Sequence, residues 1–378
     1  MNGMEQEIPA PESEVMHRAD GRTGPPRDLR QFIATLSDAG RLKRVNDPVH
    51  WRLEVGLCAS TDNRPTLFEK ICEYPGHRLF TNGLCDVQAI ALALGLPPST
   101  SCRSLVQEAQ RRLANPIQPV AVRAGPILDN LREGKRLSLF DLPVPKWNAI
   151  ESGRYIGTWH LNVTRDPDTG ARNVGVYRME ILGPNTATVS TSPSSHLGRQ
   201  VARAERQNHA LPMAVVIGAP EAAVIAAAAG FPEGMDEFDM SGALLGEPIE
   251  LLTPPGGFLE VPAWSEIVLE GELEPHVRVP DGPYFDYTGK SNINPRACRF
   301  HARRMWFRNQ PIFRGAAVGR PGAEDHQVFA FLAELGLVDF HGSRLKQFAQ
   351  SQLLKRRSFR SFQIAGSLTS YLHRFSSR

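Results

Sequence analysis

The sequence predicts a mixed α/β (α+β) chain, with helices and short strands first, a β-rich centre and a helical end. Three observations carry this. Thirty prolines and 32 glycines in 378 residues punctuate the chain too often for a helical bundle. Between Asp141 and about Pro311, short runs rich in aromatic and β-branched residues follow a period of two, the pattern of half-buried strands. Before and after that stretch, apolar residues recur at helical spacing.

Residues 1–26 are polar, proline-rich and aperiodic, and are expected to form a disordered lead-in. Order is expected from Asp28. Leu29, Phe32, Ile33 and Leu36 share a helical face, Asp28 can cap its start and Gly40 can end it. Pro65–Phe68 and Leu79–Asn82 read as strands. Val106–Leu113 reads as a helix closed by Pro116 and Pro119, and the first domain boundary falls just beyond. Tyr155–Thr164 reads as a strand, Asp166–Gly170 as a turn, and Asn173–Leu182 as the return strand of a hairpin. Met213–Ile217 is a short buried strand, Glu221–Ala229 an alanine-rich helix packed on a sheet, and Met235–Leu245 a short helix. Ala263–Leu273 and Arg299–Phe307 read as strands. Beyond His326, Phe329–Leu335 and Leu345–Leu354 read as helical and Ile364–Phe375 as amphipathic, with Lys355, Arg356, Arg357 and Arg360 forming a basic cluster.

Composition excludes several classes. A net charge of +3 is too mild for a nucleic-acid binder. No run approaches the roughly 18 apolar residues that span a bilayer. Glu5, Glu7, Glu12 and Glu14 occupy the place of a signal peptide's apolar region. Five cysteines with no C-x-x-C pair predict free thiols in a cytoplasmic protein. The P-loop, the G-x-S-x-G elbow and H-E-x-x-H are all absent.

Chemistry must then lie in scattered polar segments, four of which stand out. In Asn173-Val-Gly-Val-Tyr-Arg178, Asn173 offers a neutral oxygen and Arg178 a planar fork for a carboxylate. Five residues apart on a strand they face opposite ways, unless Gly175 introduces a bulge. A turn asparagine and a solvated arginine are the plainer alternative. In Ser194-Ser195-His196 the histidine is either a metal ligand or a surface residue. In Asp236-Glu237-Phe238-Asp239 the acids either complement a helix dipole or let Glu237 bind a hard cation. Asp281-Gly-Pro-Tyr-Phe-Asp286 is either a solvated turn or a carboxylate held against aromatic rings, where burial raises its pKa and lets it carry a proton.

Taken in order, these segments resemble the UbiD decarboxylase family. The resemblance runs from about Asp28 to His326. Asp28-Leu-Arg-Gln-Phe-Ile and Gly40-Arg-Leu-Lys-Arg-Val look like the family's opening. Asp236-Glu-Phe, Ser241-Gly-Ala-Leu-Leu-Gly-Glu-Pro, Val261-Pro-Ala-Trp-Ser-Glu-Ile-Val-Leu-Glu-Gly, Asp281-Gly-Pro-Tyr-Phe-Asp and Gly322-Ala-Glu-Asp-His resemble its most recognisable stretches. The resemblance implies an N-terminal α/β domain at 27–125, a split β-barrel flavin domain at 126–325 and a shortened helical segment at 326–378. Members continue into a full C-terminal domain that supplies a flavin-contacting lysine. Here about fifty residues follow His326, and Lys346 and Lys355 stand in no matching motif.

The family also implies roles. Asn173, His196 and Glu237 would bind Mn2+ or Mg2+, with K+ a further candidate ion, and so anchor the phosphate of prenylated FMN. Val176, Tyr177, Arg178 and Ser195 would join them in contacting the cofactor. Arg178 would hold the substrate carboxylate, Asp281 (where the family usually has Glu) would hold Arg178, and Asp286 would deliver a proton. The implied reaction removes CO2 from an aromatic or α,β-unsaturated acid through a covalent adduct with the flavin. Asp-Tyr-Thr-Gly after the Gly-Pro turn leans toward the aromatic-acid branch, which includes the polyprenyl-hydroxybenzoate enzymes of quinone synthesis. Expected partners are the small carboxylic acid, a flavin prenyltransferase as cofactor supplier and a second copy of the chain; Phe359–Phe375 reads either as part of a truncated domain packed on the barrel or as an amphipathic surface helix in peripheral contact with a membrane or a partner. The alternatives are a non-catalytic paralogue acting as a flavin-binding or partner subunit, and an ordinary FMN oxidoreductase on a split barrel.

Overall fold

The computed structural model describes residues 24–320 and 322–338. The helical readings at Leu345–Leu354 and Ile364–Phe375, the basic cluster between them and nearly all of the 1–26 lead-in lie outside the described residues.

The first helix, Leu29–Asp38, forms where its periodicity predicts. Asp28 Oδ1 accepts from Gln31 N at 2.8 Å, and Leu29, Phe32, Ile33 and Leu36 are buried. Gly40 follows with φ +66°, a left-handed turn that a side chain would strain. Next comes a four-stranded sheet. Lys43–Val45 runs parallel to Thr66–Phe68, which is antiparallel to Arg78–Thr81. The fourth strand, Ile312–Arg314, pairs parallel to Arg78–Thr81 from the far side of the chain. Val106–Leu113 falls within the helix Cys102–Leu113.

The centre is a nine-stranded, curled half-barrel sheet. Its spine is two long antiparallel strands, Ile267–Phe285 and Ser291–Phe307, whose register shifts four times along their length. Each shift bends the ladder and adds twist, which curls the sheet. Leu211–Ile217 shows how the sheet is covered. Met213, Val215 and Ile217 join one core cluster, and Ala214 and Val216 the other. A strand covered on both faces reads as a continuous apolar run. The alanine-rich helix Glu221–Ala227 packs on one face. Leu197, Val201 and Ala204 of the helix His196–Arg206 pack on the other.

Two strand readings and one turn reading are corrected. Tyr155–Thr164 is two strands, Tyr155–Gly157 and His160–Arg165, with different partners. The break frees Thr158 Oγ1 to accept from Ala316 N at 2.9 Å. Asn173–Leu182 is likewise split into Arg172–Gly175 and Met179–Gly183, because Tyr177 N donates to Asn162 Oδ1 at 3.0 Å instead of to a ladder partner. The Asp281–Gly289 turn begins later than expected. Asp281–Phe285 stays in the long strand through the pairs Tyr284↔Asn292 and Phe285↔Ser291, and the turn closes over Asp286–Lys290.

The two halves are joined by buried charges. Arg314 Nε donates to Glu221 Oε1 at 2.7 Å, and Nη1 and Nη2 donate to the Glu324 carboxylate, with Nη1 at 3.1 Å from Oε2. Trp159 Nε1 donates to Glu221 at 2.9 Å and Leu84 N to Glu324 at 2.8 Å. A second buried acid, Glu266, takes both Arg30 Nε and Nη2 from the first helix at 2.8 and 2.9 Å. Arg314→Met is expected to lower unfolding free energy by about 3–5 kcal/mol in urea titrations, because it strands two buried carboxylates. Arg303→Met, which removes an exposed partner of Glu272, is expected to leave stability nearly unchanged. Equal effects from the two variants would remove the buried network from its stabilising role.

Candidate active site

Two helix starts and one strand build the first cavity. His196 is the first residue of the helix His196–Arg206, capped by Ser195, whose Oγ accepts from Gly198 N at 3.0 Å. Glu237 is the first residue of the helix Glu237–Leu245, capped by Asp236, whose side chain accepts from Phe238 N at 2.9 Å. Asn173 sits on the strand Arg172–Gly175, with Nδ2 donating to Thr164 Oγ1 at 3.3 Å. All three side chains line one cavity of about 330 Å³, together with Arg172, Gln200 and Arg203. Glu237 is only 4% exposed and accepts from Val174 N at 2.9 Å. Burial pushes its carboxyl up to about 8. Burial and the nearby Arg199 hold His196 below its ordinary value, which favours the neutral imidazole.

Among the described residues, no group of three or more His, Cys, Asp or Glu is placed to hold a metal ion. The Asn173, His196 and Glu237 set contains two such residues and a neutral amide. Its mixed oxygen and nitrogen donors suit a hard divalent cation, and a cation there would favour the ionised Glu237 that burial disfavours. Both helices also begin at the wall of this cavity, and a helix start is a usual setting for a phosphate. The cavity therefore fits a metal and the phosphate end of a flavin nucleotide.

The second cavity, of about 400 Å³, begins where the strand ends. Gly175, Val176, Tyr177 and Arg178 line it, with Trp159, Ala227, Ala228, Tyr284, Asp286, Tyr287, Asn292, Val318, Asp325, Val328 and Phe329 among the rest of its wall. Gly175 has no Cβ, and a Cβ would stand 2.5 Å from the Tyr177 ring. The Tyr177 hydroxyl accepts from Leu197 N at 3.3 Å, tying this wall to the His196 helix.

Arg178 is held from behind. Its Nε donates to Asp281 Oδ1 at 2.6 Å, and its guanidinium lies 5.0 Å from the Tyr284 ring centroid. Asp281 is fully buried, and its Oδ2 accepts from Thr188 Oγ1 at 2.6 Å. Asp281, one methylene shorter than a glutamate, keeps its contact with the arginine. Arg178 Nη2 lies 2.6 Å from the same Oδ1 but without hydrogen-bond geometry. Its N–H groups thus have no hydrogen-bond acceptor among the described residues. Asp286 is 8% exposed and accepts from Thr288 N at 2.9 Å, Thr288 Oγ1 and Asn292 Nδ2 at 3.2 Å.

Of the residues singled out in the sequence, Asn173, His196 and Glu237 gather in the first cavity, and Val176, Tyr177, Arg178 and Asp286 in the second. Ser195 caps the helix that carries His196, and Asp281 stands behind Arg178. Sequence reasoning left out Tyr284, Tyr287 and Asp325. All three lie in segments it had already quoted, and aromatic or acidic residues there were the available signal. Thr188, which grips Asp281, carried no signal.

The comparisons with known proteins agree with this fold. Residues 33–109 match the family model described as the 3-octaprenyl-4-hydroxybenzoate carboxy-lyase N-terminal domain, and residues 119–321 its Rift-related domain. A pyrrole-2-carboxylic acid decarboxylase of Pseudomonas aeruginosa is 33% identical over 326 residues, 82% of this chain and 66% of that one. A phenolic acid decarboxylase of Streptomyces sp. strain D7 is 32% identical over 312 residues, 79% of this chain and 65% of that one. The chain thus spans just under two thirds of the length of these relatives. Among solved structures, the vanillic acid decarboxylase of Sedimentibacter hydroxybenzoicus in closed form superposes with a TM-score of 0.77 at 29% identity, covering 81% of this chain and 67% of that one. The UbiD-class enzyme HmfF of Pelotomaculum thermopropionicum, in complex with prFMN, gives a TM-score of 0.74 at 28% identity, covering 81% and 70%. No helix among the described residues is long and apolar enough to cross a membrane. With both family domains matched in order across most of the described residues, the chain belongs to the UbiD family.

Proposed function

We propose that this chain is a decarboxylase of aromatic or α,β-unsaturated carboxylic acids, working with prenylated FMN and a Mn2+- or Mg2+-type ion. The observation that carries this is Arg178, fixed by Asp281 and facing a cavity that Asp286 shares. The relatives that act on pyrrole and phenolic acids favour an aromatic substrate.

Each residue has a physical task. Asn173, His196 and Glu237 would hold the ion, and the starts of their two helices would take the cofactor phosphate. When bound, the prenylated flavin supplies an electron sink for the pair left behind as CO2 departs, which an sp2 carbon cannot hold alone. Arg178 receives the substrate carboxylate on the side of its guanidinium turned away from Asp281, and so orients the acid. Asp281 and Thr188 keep the guanidinium from turning away. Asp286 delivers the proton to the carbon that has lost CO2. Val176, Ala227, Ala228 and Val318 exclude water from the reacting face. A flavin prenyltransferase would supply the cofactor.

Co-expression with a flavin prenyltransferase, followed by absorption spectra and a CO2-release assay over a panel of acids, tests the proposal. A colourless, inactive protein would refute it. Asp286→Asn is expected to lower turnover about 10²–10⁴-fold with the flavin spectrum retained, and normal turnover in that variant would remove Asp286 from the proton step. His196→Ala is expected to lose metal and flavin together, as read by metal analysis and absorption. Glu237 adds a pH dependence. Its carboxyl holds a proton below about 8, and a metal must displace that proton. Apparent Mn2+ affinity is therefore expected to rise by up to about tenfold per pH unit toward that value and then level off. Calorimetry in buffers of different ionisation enthalpy would detect the released proton, and an affinity independent of pH would take Glu237 out of the ligand set.

A further inference from the structure

Asp325 lines the second cavity, yet neither the carboxylate anchor nor the proton step uses it. It is the second residue of the helix Glu324–Glu334 and is 3% exposed. Its Oδ2 accepts from Gly319 N at 3.1 Å. Its Oδ1 is buried and has no hydrogen-bond partner among the described residues. The side chain of the neighbouring His326 does not fill that role, and the backbone N–H groups of Asp325 and His326 bear on the carboxyl without giving Oδ1 a well-formed hydrogen bond. Nε2 of His326 stands 4.0 Å from Oδ2 and is hydrogen-bonded to Tyr287 O at 2.7 Å. Buried polar atoms are almost always paired, so an orphaned carboxyl oxygen in a cavity wall calls for a ligand donor.

The position is also rigid. Glu324, one residue earlier, is clamped by Arg314 and by Leu84 N, so the start of this helix is pinned to the core. Val318, Val328 and Phe329 in the same wall offer no polar alternative. Arg178 lies 5.0 Å from the Tyr284 ring centroid, and Arg178, Tyr284 and Asp325 line the same cavity. Burial pushes the Asp325 carboxyl above its ordinary range, and a donor on a ligand would relieve that cost.

We infer that Asp325 is a specificity-determining residue whose Oδ1 accepts a hydrogen bond from a donor carried on the substrate ring, a phenolic hydroxyl or a heteroaromatic N–H. This rests on the proposal that Arg178 holds the acid's carboxylate. With Arg178 gripping one end and Asp325 reading the ring, an acid lacking the donor leaves Oδ1 unpaired and binds less well.

The test is calorimetric titration of the full chain, co-expressed with a flavin prenyltransferase, with two sets of acids. One set compares hydroxybenzoates bearing the hydroxyl at each ring position with benzoate, and the other compares pyrrole-2-carboxylate with furan-2-carboxylate. At least one donor-bearing acid is expected to bind about tenfold or more tightly than its donor-free counterpart, and the set in which this occurs identifies the donor. In Asp325→Leu that ratio is expected to fall to within about twofold of one, with the donor-free acid bound as before. A ratio near one in the unaltered chain, a ratio unchanged in Asp325→Leu, or no binding of any acid would overturn the inference. If Asp325→Leu fails to fold, Asp325→Asn takes its place. Its weaker acceptor is expected to cut the ratio about threefold or more, and an unchanged ratio counts against the inference. Because binding is read separately from CO2 release, the two ideas fail separately. Selective binding without CO2 release sinks the proposed activity alone, whereas CO2 release with equal ratios in both proteins sinks the role of Asp325 alone.

Discussion

The pairing of Arg314 with Glu221 and Glu324 is the constraint on which the cavity walls depend. Its three members come from three places: the strand that completes the N-terminal sheet, the start of the alanine-rich helix, and the start of the last described helix. All are nearly without solvent contact. Two carboxylates around one guanidinium leave an excess negative charge, and such an arrangement survives burial only if its remaining lone pairs are satisfied. Trp159 Nε1 and Leu84 N supply those bonds. Burial, the largest influence on Glu324, raises its pKa. The same bonds fix Trp159, Ala227, Ala228 and Asp325, all of which line the second cavity. Core electrostatics therefore sets the shape of a cavity that none of the three charged residues lines.

Residues 172–178 solve a second problem. A cofactor with a charged phosphate at one end and flat rings at the other needs a polar pocket and an apolar one side by side. On a regular strand the alternation of side chains would divide these residues between two faces of the sheet. Leaving the ladder after Gly175 turns the chain, so that Asn173 remains with His196 and Glu237 while Val176, Tyr177 and Arg178 enter the other cavity. Asn162 makes the departure tolerable, because its side-chain oxygen takes the Tyr177 N–H that the ladder no longer uses.

Much of the fold was legible in the sequence because local and global preferences agree. The Asp28 cap, the buried face of the first helix, the alanine-rich helix and the Leu211–Ile217 strand all follow from periodicity and caps. The two misread strands share one cause. Thr158 and Tyr177 bond outside their own strands, to Ala316 and Asn162, and no window of neighbours reveals such bonds. Gly282 and Pro283 argue for a turn locally, and they do interrupt the ladder, which resumes beyond them at Tyr284↔Asn292 and Phe285↔Ser291. The site was legible in a similar proportion. Residue types at motif positions pointed to Asn173, Arg178, His196, Glu237, Asp281 and Asp286. The grip of Thr188 on Asp281 and the unpaired oxygen of Asp325 depend on three-dimensional neighbours alone.

Asp281 holds Arg178 although it is one methylene shorter than a glutamate, and the geometry gives the reason. A guanidinium carries five N–H groups, and a bidentate acid in the plane of the fork would occupy two of them. Asp281 instead spends one oxygen on Nε and turns the other toward Thr188. Thr188 is in turn held, since its Oγ1 accepts from Glu180 N at 2.8 Å. The acid is thus fixed by the sheet and not by the arginine, and needs no reach of its own. Tyr284 covers one face of the guanidinium, and Tyr155 backs Tyr284 with ring centroids 4.3 Å apart. With one edge and one face occupied, the free edge of Arg178 is the part left to meet an anion, and the charge it presents is partly offset by Asp281 behind it. A substrate carboxylate held by such a pair is oriented more than it is stabilised, which suits a reaction in which that carboxylate must leave.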